Sequence, residues 1–241
     1  MKEQGLKVLG FDCCGNSHNG FELNKYFNVD LSFCNKLHTS LFFRLCGLPV
    51  WFRKWFIADS CNFNIRSTTL FYNDYWQEKM FLPEKLVLSF KQLPLNTANL
   101  NLLKSIGEPE SIAIHIRRGD YLKPGNKDVF YDLSESDYYI KAIKYMSTKY
   151  TNPRFFIFSN DSEWCKNNIA PSNSIYIDWN TGNDSIYDMY LMSKCESMII
   201  ANSTFSFWAA KLNSNASIVV YPKKWFKQRS IDVFPDNWVC I

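Results

Sequence analysis

The sequence has no Cys-x-x-Cys pair, no Asp-x-Asp, only three histidines and no long apolar run free of charge. Its eight cysteines are scattered, with Cys13 and Cys14 adjacent, which argues against a zinc site of ordinary spacing and against a disulfide framework. Reduced, mostly buried thiols are the expectation. The most apolar stretch, Leu41 to Ala58, is cut by Arg44, Arg53 and Lys54, and no transmembrane helix is predicted there. The opening residues MKEQGLKVLGFDCC lack a signal-peptide pattern, so a cytoplasmic location is expected. Charge of either sign is also short: 27 Lys+Arg against 23 Asp+Glu leaves +4, too mild for a nucleic-acid binder that must neutralise many phosphates. A local basic pocket remains compatible with that balance.

What is present is ordinary globular material, 241 residues and 46% hydrophobic, enough for one large domain or two small ones. Aromatic content is high at 17%, and rings suit both a core and a sugar-binding cleft. Leu6 to Asp12 reads as a short buried strand, Cys14 to Gly20 as a polar turn, and Ser32 to Leu45 as a helix. Leu41 to Ala58 mixes aromatic and basic residues. It reads most simply as a core-packing helix interrupted at Gly47 and Pro49, the alternative being a segment lying on a membrane surface near a lipid-linked substrate. Thr68 to Trp76 reads as a strand and turn, and Pro83 to Leu103 as a helical stretch broken near Pro94. Gly107-Glu-Pro109 marks a boundary between two halves.

Beyond it the pattern alternates. Strands are expected at Ile112 to Ile116, Phe155 to Phe158, Ile175 to Ile177, Met198 to Ala201 and Ser217 to Val220. Helices are expected at Ser134 to Lys149, with Ser134 as cap, then Ser162 to Asn167, Asp184 to Lys194 and Phe205 to Leu212. Such alternation predicts an α/β fold whose parallel sheet is covered by helices, with the tail Lys223 to Ile241 packing back onto the body.

The chain is organised around Ser111-Ile-Ala-Ile-His-Ile-Arg-Arg-Gly-Asp-Tyr121, an apolar run that ends in an imidazole, two guanidiniums and a carboxylate. Side chains alternate along a strand, so His115 and Arg117 share one face while Arg118 points the other way or begins the loop. Open α/β sheets hold ligands at strand C-terminal ends, and Arg forks match phosphate oxygens, so a phosphate-bearing ligand is the first expectation. Two further strand ends carry polar clusters, Ser159-Asn160-Asp161 and Asn202-Ser-Thr-Phe-Ser206. The second precedes a helix whose N-terminal N–H groups, with Ser203 and Thr204, would cradle phosphate, unless those hydroxyls are simply caps. Arg118-Gly119-Asp120 as a cell-adhesion tripeptide has nothing in the chain to support it.

These motifs, with Phe21-Glu-Leu-Asn-Lys-Tyr-Phe27, Trp164, Asp188-Met-Tyr-Leu-Met-Ser-Lys-Cys195, Ile200-Ala-Asn-Ser-Thr-Phe-Ser-Phe-Trp-Ala209 and Pro222-Lys-Lys-Trp-Phe226, follow in an order and spacing that resembles the bacterial α-1,2-fucosyltransferases of glycosyltransferase family 11. The resemblance implies a two-lobed GT-B-like fold and inverting transfer of fucose from GDP-fucose to a galactose hydroxyl of a glycan, without an obligatory metal or other cofactor. It implies residues 1–108 as an N-terminal lobe on the acceptor side and 109–241 as the GDP-sugar-binding lobe. Carried over, Arg117 binds the diphosphate with Arg118 supporting it, Asp161 belongs to the donor-binding set, His115 and Asp188 contact the nucleoside, and Ser203, Thr204 and Phe205 line the diphosphate and base. Asp120, with Asp128 as the other candidate, would be the general base. Members of that family begin with a Gly-rich strand and loop that this sequence does not contain, so a GDP-sugar-binding module without turnover is the rival expectation.

Overall fold

In the computed structural model, residues 9–10, 23–29, 32–33, 36–58, 68–73, 78–82 and 88–241 are described. They fall into two compact units, Met1–Lys91 and Gln92–Ile241. In the first, β1 (Leu9–Gly10) pairs in parallel with β2 (Ser32–Phe33), with α1 (Leu23–Tyr26) between them in sequence. The helix expected from Ser32 begins only at Lys36: α2 is Lys36–Cys46. It stops before Pro49, whose ring disfavours helix at the preceding residue, and Pro49 then opens the single turn α3 (Val50–Arg53). The parallel pair β3 (Ile57–Ala58) and β4 (Phe71–Tyr72) follows. Phe42 and Leu45, one turn apart on α2, pack with Ile57 against Leu48, Phe56 and Phe71. The expected turn at Cys14 to Gly20, most of the expected strand at Leu6 to Asp12 and the end of Thr68 to Trp76 lie outside the described residues.

The helical stretch expected over Pro83 to Leu103 is shorter than its pattern. Residues 88–96 are non-helical, and α4 (Thr97–Ile106) starts where the Asn96 side chain accepts the Asn99 N–H at 2.8 Å. A cap and an upstream proline override the run of leucines. By its contacts α4 belongs with the second unit.

That unit carries β5 (Ser111–Ile116), α5 (Asn126–Val129), α6 (Tyr138–Ser147), β6 (Arg154–Ser159), α7 (Ser162–Asn168), β7 (Ser174–Ile177), α8 (Ser185–Met192), β8 (Ser197–Ile199), α9 (Thr204–Leu212), β9 (Ile218–Tyr221) and β10 (Val239–Cys240). The six strands form one all-parallel sheet ordered β10-β9-β8-β5-β6-β7. Counted from β5, this is the 3-2-1-4-5-6 order of doubly wound sheets. The mixed α/β architecture, a parallel sheet flanked by helices, is consistent with a GT-B-like fold. All six residues of β5 are buried, as a central strand covered on both faces requires.

One face of β5, Ile112, Ile114 and Ile116, packs with Tyr139, Ala142 and Met146 of α6 and with Phe155 and Ile157 of β6. Where β8 ends, the Tyr138 hydroxyl donates to the carbonyls of Ile200, at 2.6 Å, and Val220. Two details depart from the sequence reading. Ser134 does not cap α6: its N–H and hydroxyl both bond Asp132 in a short 3-10 turn, and α6 starts four residues later. The tail packs back as expected, and in addition supplies β10, pairing Val239 with Val220 and Cys240 with Tyr221.

Candidate active site

Successive strands run from β5 outward to β7, then jump back across β5 to β8. The chain therefore leaves in opposite directions at the C-terminal ends of β5 and β8, and a doubly wound sheet opens its ligand crevice at that switch point. The residues there are Arg117 to Tyr121 after β5 and Asn202 to Phe205 after β8.

The two arginines part as alternation demands. Arg118 turns to the α6 and α7 side, where Nη1 meets Asp161 Oδ2 at 2.9 Å, Nε donates to Ser134 Oγ and the guanidinium lies 4.6 Å from the Trp164 ring centroid. Asp161 also caps α7 by accepting the Trp164 N–H, so both its oxygens are engaged. Arg117 points to the other face with His115. Its fork holds Asp120 side-on, Nη2 to Oδ2 and Nε to Oδ1 both at 2.8 Å. Each member of that pair keeps about a third of its side chain exposed, at 29% and 30%.

The loop carrying them is fastened at many points. Asn160 Oδ1 accepts the N–H groups of Arg118 and Gly119. A Cβ on Gly119 would stand 2.7 Å from Asn160 Nδ2, and the bonds to Oδ1 hold that amide in place. Gly119→Ala should therefore cost about 1–3 kcal/mol of stability through overpacking, read as a Tm lower by several degrees in thermal unfolding. Tyr121 donates its hydroxyl to the Asn202 carbonyl at 2.9 Å and stacks on Phe130, which stacks on Phe226 of the tail. Burial first of all pushes the Tyr121 hydroxyl up to about 12, leaving it a neutral donor. Asn202, itself buried, donates through Nδ2 to the carbonyls of Tyr131 and Trp225, and the Trp225 carbonyl also accepts the Tyr131 N–H.

At the β8 end, Ser203 is the N-cap of α9, its hydroxyl oxygen accepting the Phe205 N–H at 3.3 Å. The capping role weighed for that residue is thus real, and α9 begins its first turn shortly after the C-terminal end of β8. His115 is buried with its ring 5.5 Å from that of Phe205. Burial, then the Arg117 charge, lowers its pKa to about 3, so it works as a neutral imidazole. Among the described residues, His115 Nδ1, Asp120 Oδ1 and Asn202 Oδ1 are buried atoms without a hydrogen-bond partner, the Asp120 Oδ1 contact with Arg117 being an ion pair only.

Asp188, on the first turn of α8, accepts from Asn180 Nδ2 at 2.7 Å. Asn180 is held in turn by reciprocal amide bonds to the fully buried Asn99 of α4, whose Oδ1 also accepts the Trp179 indole N–H. Burial raises the Asp188 carboxyl to about 7, the Asn180 bond working against it. The folded chain thus keeps a proton here between pH 3.8 and about 7 that the unfolded chain gives up, so this group favours folding more as pH falls through that window.

The structure thus brings together His115, Arg117, Asp120, Ser203, Thr204 and Phe205 at one crevice. Arg118 and Asp161 pair with each other on the opposite face of β5, Asp188 sits on α8, and Asp128 is exposed on α5. Sequence reasoning missed Asn99, Asn180, Tyr121 and the bracing by Asn160 and Asn202. Asn160 and Asn202 stood inside the quoted strand-end motifs; Asn99 and Asn180 carried no signal. Among the described residues, Cys46, Cys165, Cys195 and Cys240 are free thiols, and no helix is long and apolar enough to cross a membrane.

Residues 53–241 match the family described as glycosyl transferase family 11. The alpha-1,2-colitosyltransferase of Escherichia coli is 38% identical over 176 residues, covering 69% of this chain and 61% of that protein. The O-antigen biosynthesis glycosyltransferase WbnK of Escherichia coli is 37% identical over 151 residues, 60% of this chain and 50% of that protein. Galactoside alpha-(1,2)-fucosyltransferase 1 of Homo sapiens is 32% identical over 103 residues, 42% and 28%. The matched part therefore spans between half and two thirds of the bacterial relatives.

Proposed function

The chain belongs to glycosyl transferase family 11, and on that premise we propose that it transfers fucose from GDP-fucose to a galactose hydroxyl of a glycan acceptor, forming an α-1,2 linkage with inversion. The carrying observation is the Arg117 fork at the switch point, on the same crevice as the N-terminus of α9. A leaving GDP gains negative charge while the sugar becomes oxocarbenium-like, so a fixed guanidinium and oriented N–H groups favour the transition state over the ground state. Neutral His115 adds no competing charge and offers an acceptor or donor to the nucleoside. The names of the relatives support a 6-deoxysugar donor and a 1,2 linkage.

Asp120 is the general base in this reading. Its Oδ2 accepts a hydrogen bond from Arg117 Nη2, and its Oδ1 lies in ion-pair contact with Arg117 Nε. A diphosphate that takes over the guanidinium releases the carboxylate, which then accepts the proton of the attacking hydroxyl. Binding of the donor and readiness of the base are thereby linked through one side chain.

Asp188 receives the N–H donors of the guanine edge. A carboxyl near pH 7 must lose its proton to accept them, so GDP affinity should fall roughly tenfold per pH unit below about 7 and level off above it. Asp188→Asn should remove that dependence and weaken GDP at every pH.

Calorimetric titration with GDP and GDP-fucose, followed by GDP release with a galactoside acceptor, tests the whole reading. Binding with release establishes the transferase. Binding of GDP without release would leave a nucleotide-sugar-binding module, and no binding to the folded chain would overturn the phosphate site.

A further inference from the structure

Between Leu31 and Ala58 the sequence has four cations, Lys36, Arg44, Arg53 and Lys54, and no carboxylate, a net charge equal to that of the whole chain. The same stretch exposes several large apolar side chains, three of them consecutive on α3. Leu41 on α2 is 40% exposed, and on α3 Val50 is 54%, Trp51 72% and Phe52 40% exposed. Scattered exposed hydrophobics are ordinary on a protein surface, but these are not scattered. The Trp51 and Phe52 rings meet edge-on at 5.6 Å, and Phe52 meets Phe56 at 5.5 Å. Along α2, Leu37, Leu41 and Arg44 recur at helical spacing next to buried Phe42 and Leu45, so the exposed Leu37 and Leu41 form an apolar stripe along the flank of the face that packs inward. Exposed Arg44 flanks that stripe, and Lys54 follows the aromatic turn.

Apolar rings interleaved with cations, without one carboxylate, match a surface that is apolar below and negatively charged above. We propose that α2 and α3 seat the protein on an anionic bilayer. Trp51, Phe52 and Leu41 enter the boundary between headgroups and acyl chains, and Arg44 and Lys54 meet the lipid phosphates. Such seating requires no spanning helix, and long basic side chains reach from an inserted apolar stem to the phosphate level. The core-packing expected of this segment is made by Phe42 and Leu45, which pack with Ile57, while Leu41, Val50, Trp51 and Phe52 lie exposed beside them.

The test is co-sedimentation of the full chain with vesicles of phosphatidylglycerol mixed equally with phosphatidylcholine, against vesicles of phosphatidylcholine alone. Wild-type protein should bind the anionic vesicles and be largely released by high salt. The double variant Trp51→Ser/Phe52→Ser should lose binding at least tenfold, and Arg44→Glu/Lys54→Glu should lose the preference for anionic lipid. Circular dichroism and GDP titration verify that each variant is folded, which separates this outcome from any failure of the nucleotide site. Absence of binding by the folded wild type overturns the proposal, as does binding that survives Trp51→Ser/Phe52→Ser. Self-association abolished by that double variant, without vesicle binding, would assign the face to contact between copies instead.

Discussion

Asp120→Asn should bind GDP more tightly than the wild-type chain and yet turn over far more slowly. The wild-type carboxylate occupies the Arg117 fork through two contacts of 2.8 Å, so an incoming diphosphate must displace an anion. An amide of the same shape holds the guanidinium less strongly, and for a pair about a third exposed that difference is on the order of 1 kcal/mol, or a few-fold in Kd. Loss of the base should lower kcat by about 10²–10⁴. The two readouts move in opposite directions, which separates the roles. Unchanged turnover removes Asp120 as base. Weaker GDP binding would mean that the ion pair braces the loop and does not compete with the ligand.

The adjacent arginines should behave differently from one another despite identical chemistry. Arg117→Ala removes the cation that faces the crevice, and GDP binding together with kcat should collapse, the catalytic part by about 10²–10³ if its effect resembles loss of one oriented donor. Arg118→Ala should leave GDP affinity within a few-fold. Its cost is stability, about 1–2 kcal/mol from the pair with Asp161 and the stack on Trp164. Calorimetry with GDP beside thermal unfolding of both variants measures this. Equal loss of GDP affinity in the two would show that Arg118 also reaches the ligand, and that the α6-side arrangement is not the one that binds.

That the two arginines take opposite faces was legible in the sequence, because period-two alternation along an apolar strand fixes which face each successive residue takes; that Arg118 would be spent on Asp161 and Trp164 was not. The parallel sheet was legible for the same kind of reason: short apolar runs separated by helix-length segments leave few alternatives to a doubly wound layer. The bracing was not. Asn99 and Asn180 are 81 positions apart, and a reciprocal amide pair leaves no periodic trace. Val239–Cys240 is two residues long, too short to read as a strand until the register with Val220 and Tyr221 is seen. At α6, the Ser134 signal was genuine hydrogen-bonding capacity spent elsewhere, on Asp132 and Arg118. The apolar stretch at Leu41 to Ala58 is broken near Gly47 and Pro49 as its sequence indicates, but which of its apolar side chains stay exposed depends on packing that leaves no periodic trace.

The fastening of the arginine loop has a thermodynamic consequence. Ordering a free backbone costs roughly 1–2 kcal/mol per residue, and a loop that had to freeze around its ligand would subtract that from affinity. Here the span from Arg118 to Tyr131 is already tied through Asn160, Asn202, Trp225 and the Phe130–Phe226 stack. Association with a nucleotide should accordingly show a modest heat-capacity change, with an entropy free of any large ordering penalty, and cutting one tie, as in Asn202→Ala, should show itself in the entropy of binding before it shows in the enthalpy.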